Sequence, residues 1–487
     1  MAYNDMKLVK AISKPQRKTT MTNSCNNICV KLRNLIAHSA FRIVAALLFA
    51  AALQARATEY WVATDGADTN PGTSDEPFAS LTNALAVAQN GDTVKVRAGT
   101  YTIPSLPYTS SSAAQAYQFT TPAYNLTNAV SVIAVAGPGE TMLAGVNNKW
   151  SHAFRIDNAN AVVSGFTVKN VASPSAGKNN AQNVSAFMHV VNGLVTNCVI
   201  HTAGKISNAA TPGTRAGITA SGGQIVDCVV SNILKTTKLN CICGISVTGA
   251  ATVRKCRVIG CTSNNSGCFV VSGANAVVSD CEVAGCSGKD PVSLSGAGAQ
   301  LSNCVITNNA GSTSAVSVNN ATATLRNCLV AGNSTSGETS VGGIYLSNGT
   351  VENCTVASNR NTNAGATCAG VSLAASADVV LRNVISWGNT LSDGSTGTAA
   401  NFKDAGADEG AAAQGTVETC LYDQDPLFKN AANGDYSLAS GSPARDAGTN
   451  QEWMKNAFDL AGNKRRAGRV DIGCYECQSA SFCIIVR

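Results

Sequence analysis

One short phrase recurs between Val163 and Ser386: apolar, any residue, Asn, Cys, any residue, apolar. It reads Val195-Thr-Asn-Cys198-Val-Ile200, then Ile225-Val-Asp-Cys228-Val-Val230, and returns around Cys256, Cys281, Cys304, Cys328 and Cys354. Phe166 fills the cysteine slot in the first copy and Val384 in the last. From Cys198 onward the spacings are 30, 28, 25, 23, 24, 26 and 30 residues. Periods of this length belong to repeat architectures, in which a unit buries its apolar face only by stacking on its neighbours.

The phrase also constrains the shape of each unit. Strand side chains alternate between faces, so Leu325 and Cys328 cannot both point inward along one straight strand. A bend between them restores the phase. Asn327 sits there, and Asn tolerates the left-handed conformation that a sharp bend needs. Asn197, Asn303, Asn353 and Asn383 share the position, with Asp227 and Asp280 as variants. Ten to thirteen residues before each slot lies another apolar run, such as Gly244-Ile-Ser-Val247 or Gly370-Val-Ser-Leu373. Each repeat therefore reads as a coil of about three short strands, stacked on the next at about 4.8 Å. The expected fold is all-β: a right-handed parallel β-helix with inward files of Cys, Val, Ile and Leu and a file of bend asparagines. Gly, Ser, Thr, Asn and β-branched residues disfavour long helices, and leucines are too few for a leucine-rich repeat.

The net charge of +6 is uneven. Nine of the 35 Lys and Arg but one of the 29 acids lie in residues 1–57, which leaves the rest at net −2. No basic field points to nucleic acid. Residues 43–53 form an apolar run too short to span a bilayer. Basic residues precede it and Ala55-Arg-Ala57 follows, so residues 1–57 read as a secretory signal peptide, with Met21 as an alternative start. No other stretch is apolar enough for a membrane helix. The expected locale is secreted or on the cell surface.

Past the leader, Ser80 can cap a short helix that carries Leu81, Ala84, Leu85 and Ala88 on one face, with Gly91 ending it. A solenoid's first coil exposes an apolar end, and this helix suits the role of cap. Residues 58–400 are read as capped β-helix, with 388–415 as a linker into a C-terminal module over 401–487.

The two ends carry a resemblance. Tyr60-Trp-Val, Asp65-Gly, Asn70-Pro-Gly-Thr and Gly91-Asp-Thr-Val-Lys-Val-Arg-Ala-Gly-Thr-Tyr101 resemble the N-terminal region of the secreted pectate-lyase-like β-helix superfamily. Asp425-Pro-Leu-Phe428, Gly434-Asp-Tyr-Ser-Leu438, Asp446-Ala-Gly448 and Asp471-Ile-Gly-Cys-Tyr-Glu476 resemble the end module called choice-of-anchor Q in bacterial surface β-helix proteins. The resemblance implies a pectin-lyase-like fold, export and attachment to the cell surface. It leaves activity open, because that superfamily holds lyases, hydrolases, epimerases and adhesins. The acid cluster of its calcium-dependent lyases and the paired aspartates of its hydrolases have no counterpart here.

Seventeen cysteines follow the leader, seven of them in the inward slot. They read as small buried hydrophobes. Cys241-Ile-Cys243 is a poor metal signal, so neither metal nor cofactor is expected. Outward, Arg326, Glu352 and Arg382 share one slot on consecutive coils, and Arg257 and Glu282 share another, which suggests cross-coil ion pairs.

The candidate site is on the early coils. Asp157 and His189 each lie nine residues before their slot residue, which places them side by side on an outward face with Arg155. Lys205 and Arg215 lie in the variable loop 203–215, which with 172–185 is among the longest insertions. Arg155, Asp157, His189, Lys205 and Arg215 are therefore the expected contacts for an acidic polysaccharide. His189 and Asp157 are the candidate catalytic pair if the chain is an enzyme, since an imidazole beside cations can take a proton next to a uronate carboxylate. A binding, structural or adhesive surface protein is the first reading. A polysaccharide-active enzyme, a uronate lyase rather than a glycoside hydrolase, is the alternative.

Overall fold

The computed structural model describes residues 57–104, 122–145, 153–169, 187–201, 205–206, 214–235, 241–263, 265–337, 340–376, 378–405, 415–466 and 468–477. The leader, apart from Ala57, lies outside the described residues. None of the described helices is long and apolar enough to cross a membrane.

Thr58 onward forms one compact unit, a right-handed parallel β-helix. Each coil contributes three short strands. On the first face run Tyr124–Leu126, Phe154–Ile156, Met188–Val190, Thr214–Ala220, Cys241–Val247 and their successors, paired in parallel from coil to coil. The second face carries the apolar half of the repeat phrase, such as Leu194–Thr196 and Gln224–Val226. The third face is an 11-stranded sheet from Gly99–Thr102 to Ile385–Trp387. Two long strands, Ser314–Arg326 and Val341–Glu352, run unbroken around the corner between the first two faces.

The phase argument holds at every described bend. Asn197, Asp227, Asp280, Asn303, Asn327, Asn353 and Asn383 all have φ between 49° and 57°. Lys255 and Thr419 occupy the same position with the same φ. In the Phe166 coil the bend residue is Gly165, φ 85°, where a Cβ would lie 2.7 Å from the Ala134 carbonyl oxygen. The slot residues are buried in one apolar core, Cys198 through Cys354 in file. Their thiols are free and donate to carbonyl oxygens, as Cys328 does to Arg326 at 3.1 Å.

The expected bend ladder is only partly continuous. Asn303 donates to Asp280 (3.2 Å) and Asn327 to Asn303 (2.6 Å), but Asn327 makes no such bond to Asn353, and its Oδ1 is unpartnered. A second ladder lies five residues after each slot. Asn309, Asn333, Asn359 and Asn389 are fully buried, and each passes its amide hydrogen bonds to the next coil, ending on Asn401. Each Nδ2 also satisfies a carbonyl on the coil before, such as Val283 for Asn309. Cys261 and Cys286 hold the same place on earlier coils.

At the N-terminus the helix Leu81–Val87 buries Leu81 and Ala84 against the first coils, and Ser80 Oγ accepts from Asn83 N as a cap. It stops at Ala88 rather than Gly91. The reason is Asp92, whose carboxylate accepts from both Gln89 N and Thr58 N at 2.7 Å and pulls residues 89–92 into a turn.

The stack extends past residue 400. Phe402–Asp404 pairs with Val371–Leu373, and Thr416–Glu418 with Val379–Arg382. Cys420 follows Thr419 as one more slot residue. Within the stretch read as linker, 388–415, residues 389–404 therefore belong to the last described coil. From Tyr422 the chain folds back along the third face instead of continuing the stack. Leu329, Ala331 and Ala357, which point outward, are buried under Tyr436 and Cys474. Ile385 and Leu421 pack with Leu438, Ala444 and Ile472. The bend asparagines bind this segment too: Asn327 Nδ2 donates to the Phe458 carbonyl at 3.0 Å and Asn383 Nδ2 to that of Thr449 at 2.9 Å.

Candidate functional site

The outward positions of the first face form a file: Asn125, Arg155, His189, Thr219, Ser246. Each alternates with two inward apolar residues, as His189 does between Met188 and Val190. Arg155 is His189's register partner, and its guanidinium is ion-paired to the Asp157 carboxylate. His189 Nε2 lies 3.2 Å from Ser221 Oγ.

The expected register needs one correction. Asp157 is not beside His189; Arg155 is. Five residues, 157–161, connect the first and second faces in the Phe166 coil, against three, 191–193, in the Cys198 coil. Counting nine back from the slot therefore stops two residues short of Arg155, and lands on Asp157 just past the end of its strand. It reaches the file through Arg155.

Lys205 and Arg215 are described by backbone alone. Lys205 starts the two-residue strand Lys205–Ile206, paired with Leu234–Lys235 in a small separate sheet. Arg215 lies four residues before Thr219 on Thr214–Ala220 and pairs with Ile242. His201, the other early-coil histidine, is on the third face beside Lys169. Partial burial, and then the Lys169 charge, lower its pKa. It belongs to a different surface from His189.

Two neighbours in the file escaped the sequence reading as site residues. Thr219 and Ser246 point outward yet are 3 % and 1 % exposed, and their hydroxyls have no hydrogen-bond partner. Chemically, the file offers a guanidinium paired with the Asp157 carboxylate and an imidazole at hydrogen-bond distance from a serine, while the Thr219 and Ser246 hydroxyls are buried. A ligand carboxylate can replace Asp157 on Arg155 in the bidentate geometry that guanidinium favours.

The expected charged files are ion-paired. Arg326 and Arg382 flank Glu352 at 2.8 and 3.7 Å, Arg382 reaches Glu418 at 2.8 Å, and Arg257 meets Glu282 at 2.6 Å. Trp453 lies over the Arg326 guanidinium at 4.4 Å, so this file is structural and partly covered by the C-terminal segment.

The chain is a right-handed parallel β-helix protein by fold. Residues 243–405 match the family model described as right handed beta helix region, and residues 64–105 match a protein of unknown function family, DUF1565. No curated protein matches the chain in sequence. Similar solved structures include pectate lyase Pel9A, 14 % identical, covering 86 % of this chain and 96 % of that one at a TM-score of 0.47. A rhamnogalacturonan lyase is 15 % identical, covering 67 % and 87 % at 0.41. The A-module of a mannuronan C-5 epimerase from Azotobacter vinelandii is 15 % identical, covering 71 % and 92 % at 0.32. At these identities the likeness concerns the fold alone.

Proposed function

We propose that this is an exported, cell-surface β-helix protein that binds an acidic oligosaccharide on the early coils of its first face. The contacts are Arg155, Asp157, His189, Lys205 and Arg215. The observation that carries this reading is the register pairing of Arg155 with His189 on one outward file. It sets a guanidinium and an imidazole one strand spacing apart, the repeat at which a polymer laid along the stack would meet them. Support for export comes from the apolar run at 43–53 and its basic flank. Attachment at the surface rests on the resemblance of residues 425–476 to a bacterial end module.

Lyase action at the same place is the second reading. The observation in its favour is the imidazole itself: His189 would take the proton next to a uronate carboxylate while Arg155 neutralises the developing charge. Both readings are tested by incubating the purified protein with polygalacturonate, mannuronate and guluronate oligomers. Binding without unsaturated products in the ultraviolet supports the first, and accumulating unsaturated products the second. Replacing Lys205 and Arg215 together by alanine should weaken binding about tenfold, and added salt should weaken it in the parent protein. Binding indifferent to both changes overturns the site.

A further inference from the structure

At the bend between the second and third faces, the C-terminal segment leaves a cleft of about 500 Å³ against the coil stack. One wall is the second bend and the start of the third face: Asp280, Glu282, Asn303 and Val305. The other is the loop from Phe458 to Gly462. That loop is held rigidly. The Asp459 carboxylate accepts from Ala461 N, Asn463 N and Glu476 N at 2.7–3.0 Å, and the Phe458 carbonyl is pinned by Asn327 Nδ2. The Phe458 ring, by contrast, joins none of the core clusters and is 53 % exposed. Folding uses the backbone at Phe458 and leaves the ring at the cleft.

The facing wall is a set of acceptors. Asp280 already takes Asn303 Nδ2 and Ser279 Oγ, and Glu282 takes Arg257 through Oε2. A carboxylate offers about four lone-pair sites, so both retain acceptor capacity. Asn303 spends its amide on Asp280 and its oxygen on Asn327. Asp459 is consumed by its own loop. The cleft thus presents an aromatic face opposite surplus charged acceptors, and it lies within the size range of small-ligand sites. Apolar C–H faces of a sugar ring suit the first, and hydroxyl donors suit the second through charge-assisted hydrogen bonds. A uronate would meet like charge here.

We infer that this cleft is a second saccharide site, one that takes a sugar unit presenting hydroxyl or amine donors and no carboxylate. It is opposite in charge preference to the first-face file and independent of it. A surface protein with both would bridge an acidic and a non-acidic glycan.

The test uses the full chain with neutral gluco-, xylo- and manno-hexaoses, a chitosan hexamer and an oligo-lysine peptide, read by saturation-transfer NMR and calorimetry. A neutral or amino hexamer should bind with a dissociation constant of about 1 mM or tighter. Phe458→Ala should weaken that binding about tenfold and Glu282→Gln several-fold, while uronate binding at the first face is unchanged in both. The Lys205 and Arg215 double variant should leave the cleft's binding intact. Binding by the neutral hexaoses alone, or also by chitosan, identifies which donors the site reads, and either supports it. No binding of any hexamer at about 5 mM, binding that survives Phe458→Ala in folded protein, or capture of the peptide in place of sugar overturns it.

Discussion

Asn333 hydrogen-bonds twice to Asn359: its backbone N–H and its Nδ2 both donate to Asn359 Oδ1, at 3.0 and 2.9 Å. Its own Oδ1 receives the same pair from Asn309, and its Nδ2 also reaches the Ile306 carbonyl. One fully buried amide therefore satisfies two backbone groups of the preceding coil and bonds to a side chain of the next.

Asn333→Leu should cost about 3 kcal/mol or more, because it strands the Asn309 N–H and the Ile306 carbonyl away from water. Urea denaturation of the purified variant measures this. A midpoint equal to that of the parent protein would sink the ladder as a stabilising device.

At Asn327 two effects separate. The residue needs φ 54° and donates to Asn303 and to the Phe458 carbonyl. Asn327→Gly keeps the backbone conformation and loses only the bonds, at a cost of about 1–2 kcal/mol. Asn327→Leu adds the left-handed strain and should cost about 1–2 kcal/mol more. Equal loss in the two variants would show that the bend conformation is not what Asn supplies.

Two ion pairs of the same chemistry should differ in worth. Glu352 is 4 % exposed between two arginines, whereas Arg257 and Glu282 are 54 % and 37 % exposed. Replacing Arg326 and Arg382 together by alanine leaves Glu352 as an unpaired buried charge and should cost about 3–5 kcal/mol. Arg257→Ala should cost less than about 1 kcal/mol. Comparable losses at the two sites would contradict the burial argument.

Stability should fall with rising pH through the C-terminal segment. Burial outweighs the attraction of Arg465, 3.1 Å away, and pushes the Glu476 pKa up to about 8; burial raises Asp471 as well. A carboxyl raised in the folded state favours folding fully below its unfolded pKa, near 4.5. That contribution is lost between there and about 8, on the order of 5 kcal/mol at most. Thermal unfolding from pH 5 to 9 should show the decline, and Glu476→Gln should flatten it. A decline that persists unaltered in that variant would assign it elsewhere.

Much of the fold was legible in the chain because a repeat states its own rule many times. The Asn–Cys phrase with its phase shift determines the bend, the inward slot and the stacking, since alternation along a strand is local and leaves no other solution. The cap helix was readable from Ser80 and its apolar spacing, and its end was not, because the turn that stops it depends on Asp92 meeting Thr58, a contact between segments distant in sequence. The interior ladder at Asn309, Asn333, Asn359 and Asn389 was written at a fixed offset from the slot. It was hidden because Asn is usually an exposed turn residue, and only burial reveals its second use.

The site divided along the same line. Spacing set Asp157 beside His189 on one outward face with Arg155, but which residue faces His189 was decided by two extra residues between faces, which no periodicity reports. The C-terminal segment is the larger case. Val305 and Leu329 take the outward file that Arg257 and Glu282 hold on earlier coils, a sign in the sequence that this part of the third face is covered. What covers it, and that Phe458 is thereby held over Asp280 and Glu282, required the tertiary structure. Contacts such as Asn327 with Phe458 join residues more than a hundred positions apart, and the repeat rule acts only from one coil to the next.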